Sequence, residues 1–153
     1  MTMLARKIIK NDSDPFGGAD EDEGPKEVDI AKTRSCDLLD NHLIRVTACW
    51  RGMESDAPAL VRMSITVDRD AHLQEQNHRI DTKDVGQAGG EMSTVLKVME
   101  TGGDIKPGSR TFKLRARREP VPRDTTATIF IQAAKTYPTQ ICVEDLGVIP
   151  DQL

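Results

Sequence analysis

The chain has 153 residues, 25 acidic and 21 basic, for a formal net charge of −4; charged residues make up 30% and aromatics only 3%. A mildly acidic chain so poor in aromatics is a weak candidate for a nucleic-acid stacking surface. No run nears 18 apolar residues, so no helical membrane span is expected.

Residues 1–31 differ in composition from the rest. Met3, Leu4, Ile8 and Ile9 form a short apolar tip, with Arg6, Lys7 and Lys10 interleaved. Asn11-Asp12-Ser13-Asp14-Pro15 follows where a secretory signal would need an apolar stretch, so no export is expected. Gly17-Gly18, Asp20-Glu21-Asp22-Glu23 and Gly24-Pro25 come next, with Phe16 and Val28 the only sizeable apolar residues between 11 and 29. A segment that polar has no core of its own. The composition predicts an extended acidic arm over residues 1–31, with Leu4, Ile8, Ile9 and Phe16 as its partner-binding residues. This arm holds eight acids and four bases, which leaves residues 32–153 neutral.

From residue 32 the pattern is that of strands, with side chains alternating between two faces. Ile44, Val46, Ala48 and Trp50 share one face of 43–50, and Val61, Met63, Ile65 and Val67 one face of 60–67. Asp56-Ala57-Pro58 between them is turn material. Residues 73–82 are polar and fit an outer strand or a long loop. Residues 92–99 carry apolar groups on both faces, which predicts a central strand, with a short helix as the rival. Phe112, Leu114 and Ala116 alternate with Lys113, Arg115 and Arg117; Ile129 and Ile131 alternate with Thr128, Phe130 and Gln132; Ile141 and Val143 alternate with Cys142 and Glu144. Pro107-Gly108 suits a type II turn, with Gly taking positive φ. Asp68-Arg69-Asp70 reads as a turn, and Glu119-Pro120-Val121-Pro122 blocks strand continuation. Seven or eight strands with frequent breakers and no helical period predict an antiparallel β-sandwich or barrel, with one aliphatic and one charged face per sheet.

Little of this carries chemistry. Cys36, Cys49 and Cys142, odd in number and without C-x-x-C spacing, argue against a disulfide framework or a zinc site and read as small buried hydrophobes, with a single bridge between two of them as the alternative in an oxidising medium. On an extended strand His72 and His78 stand roughly 20 Å apart, too far to share a metal. Gly86–Gly90 lacks the Lys-Ser/Thr of a phosphate loop. No nucleophile–base pair, metal set or cofactor fingerprint emerges, so a non-enzymatic protein without cofactor or metal is expected. Lys113, Arg115 and Arg117, extended by Arg118, make a candidate basic interface stripe.

Lys106–Ala116, which reads P-G-S-x-T-F-x-L-x-A over its core, is followed by Ala127-Thr128-Ile129 and then by Val143-Glu144-Asp145-Leu146-Gly147. This order resembles a β-sandwich domain of tailed-bacteriophage virion proteins, especially minor tail and fibre-like proteins, over residues 42–148 and best over 105–147. The resemblance implies a jelly-roll-like sandwich with a structural or host-contact role in a virion, in the tail, at the baseplate or on the capsid. It implies other virion proteins as partners, a homo-oligomer with three copies favoured, and a host surface as a further contact. No nucleic-acid or membrane partner is expected. The alternative is a receptor- or carbohydrate-binding module, with residues 84–91 and 119–125 as contact loops. Those loops contain no aromatic residue.

Overall fold

The computed structural model describes residues 1–17, 26–69, 71–80, 89–119 and 127–150. Every regular element among them is a strand. In chain order these are β1 (Thr2–Ile9), β2 (Phe16–Gly17), β3 (Val28–Lys32), β4 (Cys36–Leu38), β5 (His42–Trp50), β6 (Gly52–Ser55), β7 (Ala59–Val67), β8 (Ala71–Ile80), β9 (Gly90–Val98), β10 (Gly108–Arg110), β11 (Phe112–Arg118), β12 (Thr128–Gln132) and β13 (Thr139–Val148).

Two four-stranded antiparallel sheets form the body, in the orders β1-β13-β5-β9 and β3-β11-β7-β8. Along these eight strands the chain changes sheet at every step except the β7–β8 hairpin, so the expected jelly-roll sandwich is what forms. Asp68 turns that hairpin with a φ of 50°. The short strands cap the sandwich. The sheet β2-β12-β6 gathers the connections β1–β3, β5–β7 and β11–β13 at one end. The pair β10-β4 closes the other end. Gly108 opens β10 with a φ of 116°, the positive value expected of the Pro107-Gly108 turn.

The alternation read from the sequence sets the core. Ile44, Val46, Ala48 and Trp50 meet Val61, Met63, Ile65, Phe112, Leu114 and Ala116 in one cluster, all fully buried. Each such large side chain contributes about 1.5–3 kcal/mol. Trp50 stands edge-on to His78, with ring centroids 5.3 Å apart. Gly90 lies against Trp50 so closely that a Cβ there would come within 2.6 Å of the indole.

Two sequence expectations are corrected. The boundary at 31/32 falls inside β3, and residues 1–17 belong to the sandwich. Thr2–Ile9 pairs along β13, Ala5 and Phe16 are buried, and Leu4 and Ile9 pack against the core. Composition misled here because an edge strand needs few apolar residues on its solvent side. Residues 11–15 are held by side chains instead: Asp12 Oδ1 accepts from Ala133 N–H at 3.0 Å, and Ser13 Oγ from Ile131 N–H at 2.8 Å. Asp20–Glu23 lie outside the described residues. Second, residues 92–99 do not form a central strand. β9 is an edge whose one partner strand among the described residues is β5, with only a single bridge from Val98 to Ile105 on its other side, and Val95 on its outer face is 49% exposed. Of the polar residues 73–82, the described ones, 73–80, do lie in an outer strand, the edge β8.

Candidate functional site

The basic stripe lies on the outer face of the sheet β3-β11-β7-β8, and acids neutralise it. Glu27, just before β3, lays its carboxylate across that face. It takes Arg62 Nη2 at 3.4 Å, Arg115 Nη1 at 3.5 Å, His72 Nε2 at 3.1 Å and the Ser64 hydroxyl at 3.2 Å. Arg115 also meets Asp29 at 2.8 Å, Arg117 meets Glu119 at 3.1 Å, and His72 meets Glu75 at 2.6 Å. Burial alone would raise the Glu27 carboxyl, but the hydrogen bond and charge of His72, with Arg115 and Ser64, outweigh it and hold it below its ordinary value. Lys113 shares the outer face, half-buried. Arg118 does not. Successive strand residues point to opposite faces, and Arg118 is 3% exposed on the side of Phe112, Leu114 and Ala116. The stripe is therefore part of a paired network rather than a free positive surface.

Ser64, Glu27 and His72 include the residue types of a catalytic triad, but their order is wrong for one. The acid sits in the middle, Ser64 is fully buried, and the carboxylate that would take its proton is made a weak base by the cations around it. The group braces β7 and β8 against the segment entering β3.

The residues that carry the phage resemblance act as joints. Asp145 of Val-Glu-Asp-Leu-Gly is nearly buried in β13. It accepts from Gly147 N–H at 2.7 Å and meets His42 Nδ1 at 2.9 Å. Burial would raise the Asp145 carboxyl, yet the hydrogen bonds from His42 and Gly147 hold it low. Gly147 has a φ of 102°, and the β13–β5 register shifts between Asp145 and Gly147. In the Pro-Gly-Ser segment, Arg110 reaches Asp68 at 3.0 Å, and Asp68 Oδ1 accepts from Thr111 N–H at 3.1 Å. That pair ties the β10–β11 corner to the β7–β8 turn.

The three cysteines are free thiols. Cys36 is buried, while Cys49 and Cys142 are half-buried on the outer face of neighbouring strands. Burial raises the Cys36 and Cys142 thiols, with nearby Asp37 and Glu144 adding to the shift, so neither is an activated nucleophile.

One concave feature stands apart from these networks. A cleft of ≈ 290 Å³ opens on the outer face of the capping sheet, lined by Pro15, Glu54, Ser55, Asp56, Thr128 and Phe130. Phe130 faces outward because Ile129 and Ile131 beside it face the core. It sits opposite Glu54 in the β12–β6 register. The two Ser13–Ile131 bonds, one from the Ser13 N–H and one to its hydroxyl, and the Phe16–Ile129 pairing bring Pro15 alongside on the other flank. Asp56 Oδ1 accepts from Thr128 N–H at 2.8 Å, and the Glu54 carboxylate makes no hydrogen bond or ion pair among the described residues. Sequence reasoning named neither Glu54 nor Phe130 as a site residue. The alternation of 128–132 already turned Phe130 outward, but only the pairing of β6 with β12 brings the carboxylates beside it. The expected contact loops, 84–91 and 119–125, lie mostly outside the described residues.

No family model matches this chain, and no curated protein does. Among solved structures it is similar to the carbohydrate-binding module TmCBM61, solved in complex with β-1,4-galactotriose. The identity is 9%, the TM-score is 0.31, and the match covers 86% of this chain and 87% of the module. A likeness that distant assigns no function.

Proposed function

We propose that the chain is a non-enzymatic structural protein of a tailed-phage virion that displays a jelly-roll sandwich to a neighbouring surface. The observation that carries this reading is the role of the residues behind the resemblance. Asp145, Gly147, Gly108, Arg110 and Thr111 build bulges and corners, so the signature is one of architecture. Assembly contacts are assigned to the β1 edge in place of an extended arm. β1 pairs with β13 on one side only among the described residues, and Met3 and Val148 on these strands, with Met1 just before β1, are exposed apolar groups. An edge of this kind invites a partner chain, in keeping with a homo-oligomer, three copies favoured, and with other virion proteins. Mass spectrometry and immunogold labelling of purified particles test the reading. Labelling at one fixed place on the particle is expected, and absence from particles refutes it.

A second reading, a receptor- or carbohydrate-binding module, is favoured by the cleft at Phe130. Binding of the isolated chain to cells or glycans, with no incorporation into particles, would select it.

A further inference from the structure

We infer that the cleft on the β2-β12-β6 cap is a binding site for one ring of a neutral carbohydrate. The inference rests on the binding-module reading and names its site and ligand class.

The floor of the cleft is apolar. Phe130 and Pro15 lie side by side, fixed by β12 and by the Ser13 clip. The C–H face of a pyranose is the kind of flat, weakly polar surface that rests on an aromatic ring. The rim supplies acceptors. Glu54 offers a whole carboxylate with no partner among the described residues, and Asp56 has Oδ2 left over once Oδ1 has taken Thr128 N–H. Ionised carboxylates only accept, and a sugar ring edge is a row of hydroxyl donors. Hydrogen bonds to charged acceptors are the stronger kind. The Thr128 hydroxyl, also on the lining, can donate as well as accept. The volume of ≈ 290 Å³ is at the low end for small-molecule sites, which suits a single ring more than a chain threaded through.

Position supports the assignment. The cap closes one end of a rigid sandwich, where connections between strands carry recognition. Asp56 and Thr128 are locked to each other through both backbone and side chain, at 3.2 and 2.8 Å, so the rim is preorganised. The outer face of β3-β11-β7-β8, with its paired arginines and acids, offers no comparable free acceptor beside a ring among the described residues.

A cationic side chain is the rival occupant, because a carboxylate beside a ring also attracts a guanidinium. Salt separates the two. A neutral sugar held by stacking and hydrogen bonds is nearly indifferent to ionic strength, whereas a cation loses affinity as salt rises.

The experiment titrates the full chain, followed by amide NMR, with a panel of neutral hexose trisaccharides and separately with a tri-arginine peptide, at low and high salt. The expected result is saturable binding of a trisaccharide in the millimolar range, shifting the amides of Glu54, Thr128 and Phe130, unchanged by salt. Phe130→Ala weakens it at least tenfold, Glu54→Gln several-fold, and Phe130→Trp keeps or improves it. Phe130 is half-buried on the outer face of β12, so these variants are expected to fold, and their amide spectra check it. Three results overturn the proposal. Binding that survives Phe130→Ala keeps the module reading but moves the site elsewhere. Salt-sensitive binding of tri-arginine alone makes the occupant a basic protein segment. No binding of either probe removes the site and the carbohydrate-binding half of the module reading, while binding to cells tests the receptor half separately.

Discussion

Deleting residues 1–9 should damage the fold. On an arm reading this truncation is harmless to the body. In the structure it removes a whole edge strand and uncovers β13, whose Ile141 and Val143 are fully buried. Leu4, Ile8 and Ile9 are each half-buried, and half of a full aliphatic burial is about 1 kcal/mol apiece. The buried methyl of Ala5 adds about 0.8 kcal/mol. The ladder to β13 contributes about 1 kcal/mol net per hydrogen bond, but ordering each residue costs about 1–2 kcal/mol, so those two contributions roughly cancel. The expected loss is about 3–4 kcal/mol, a large share of the 5–15 kcal/mol typical of a domain. Urea unfolding followed by fluorescence of Trp50, the only tryptophan, measures it directly. Ala5→Glu in the full chain supplies a second probe, since it forces a charge into the same seam and should cost at least as much. A truncated protein within about 1 kcal/mol of the full chain would refute the reasoning and restore the detachable arm.

Glu27→Gln should destabilise the protein by about 2 kcal/mol near neutral pH, because charge-assisted hydrogen bonds are worth about 1.5–3 kcal/mol and the amide leaves Arg62, Arg115 and His72 facing a neutral group. The Glu27 carboxyl is held below 4.5 in the fold, so its stabilisation is present above that value and is lost as pH falls through the lowered one. The gap between wild type and Glu27→Gln should therefore close as pH falls through the lowered value in parallel denaturation curves; a constant gap would show that Glu27 acts by packing. Gly147→Ala should cost about 1–3 kcal/mol from strain alone, because φ is 102° and nothing lies within 4 Å of the added methyl. A thermal melt as high as wild type would mean that the β13 bulge relaxes freely.

Period-two patterning revealed most of the body, because a jelly roll buries one face of each strand and the sequence writes that face plainly. Ile44-x-Val46-x-Ala48-x-Trp50 and Phe112-x-Leu114-x-Ala116 needed no further information. Residues 1–17 were misread because their anchoring is carried by pairing and by polar clips. Asp12 and Ser13 look like linker residues until β12 presents the N–H groups they accept from. Arg118 is a different kind of error. Its parity with Phe112 placed it inward from the start, and grouping it with its charged neighbours ignored the rule used everywhere else. Glu27 carried no local signal, since its partners come from β7, β8 and β11, between 35 and 88 residues away in sequence.

The distribution of charge ties the fold to the function proposed. A chain with 30% charged residues could hold many ionic docking sites, but the basic row of β11 is closed on itself. Each guanidinium of Arg62, Arg115 and Arg117 already faces at least one carboxylate across the sheet. A partner that used those arginines would first have to break internal pairs, leaving half-buried Glu27 uncompensated, which is costly. The cap differs in kind. Phe130 is turned outward by the same alternation that builds the core, and Glu54 has no internal partner among the described residues. Recognition at the cap therefore breaks no existing ion pair there, whereas recognition on the arginine face works against the fold. That asymmetry makes Phe130 and Glu54, rather than Arg115 and Arg117, the residues whose substitution should change binding while leaving stability nearly intact.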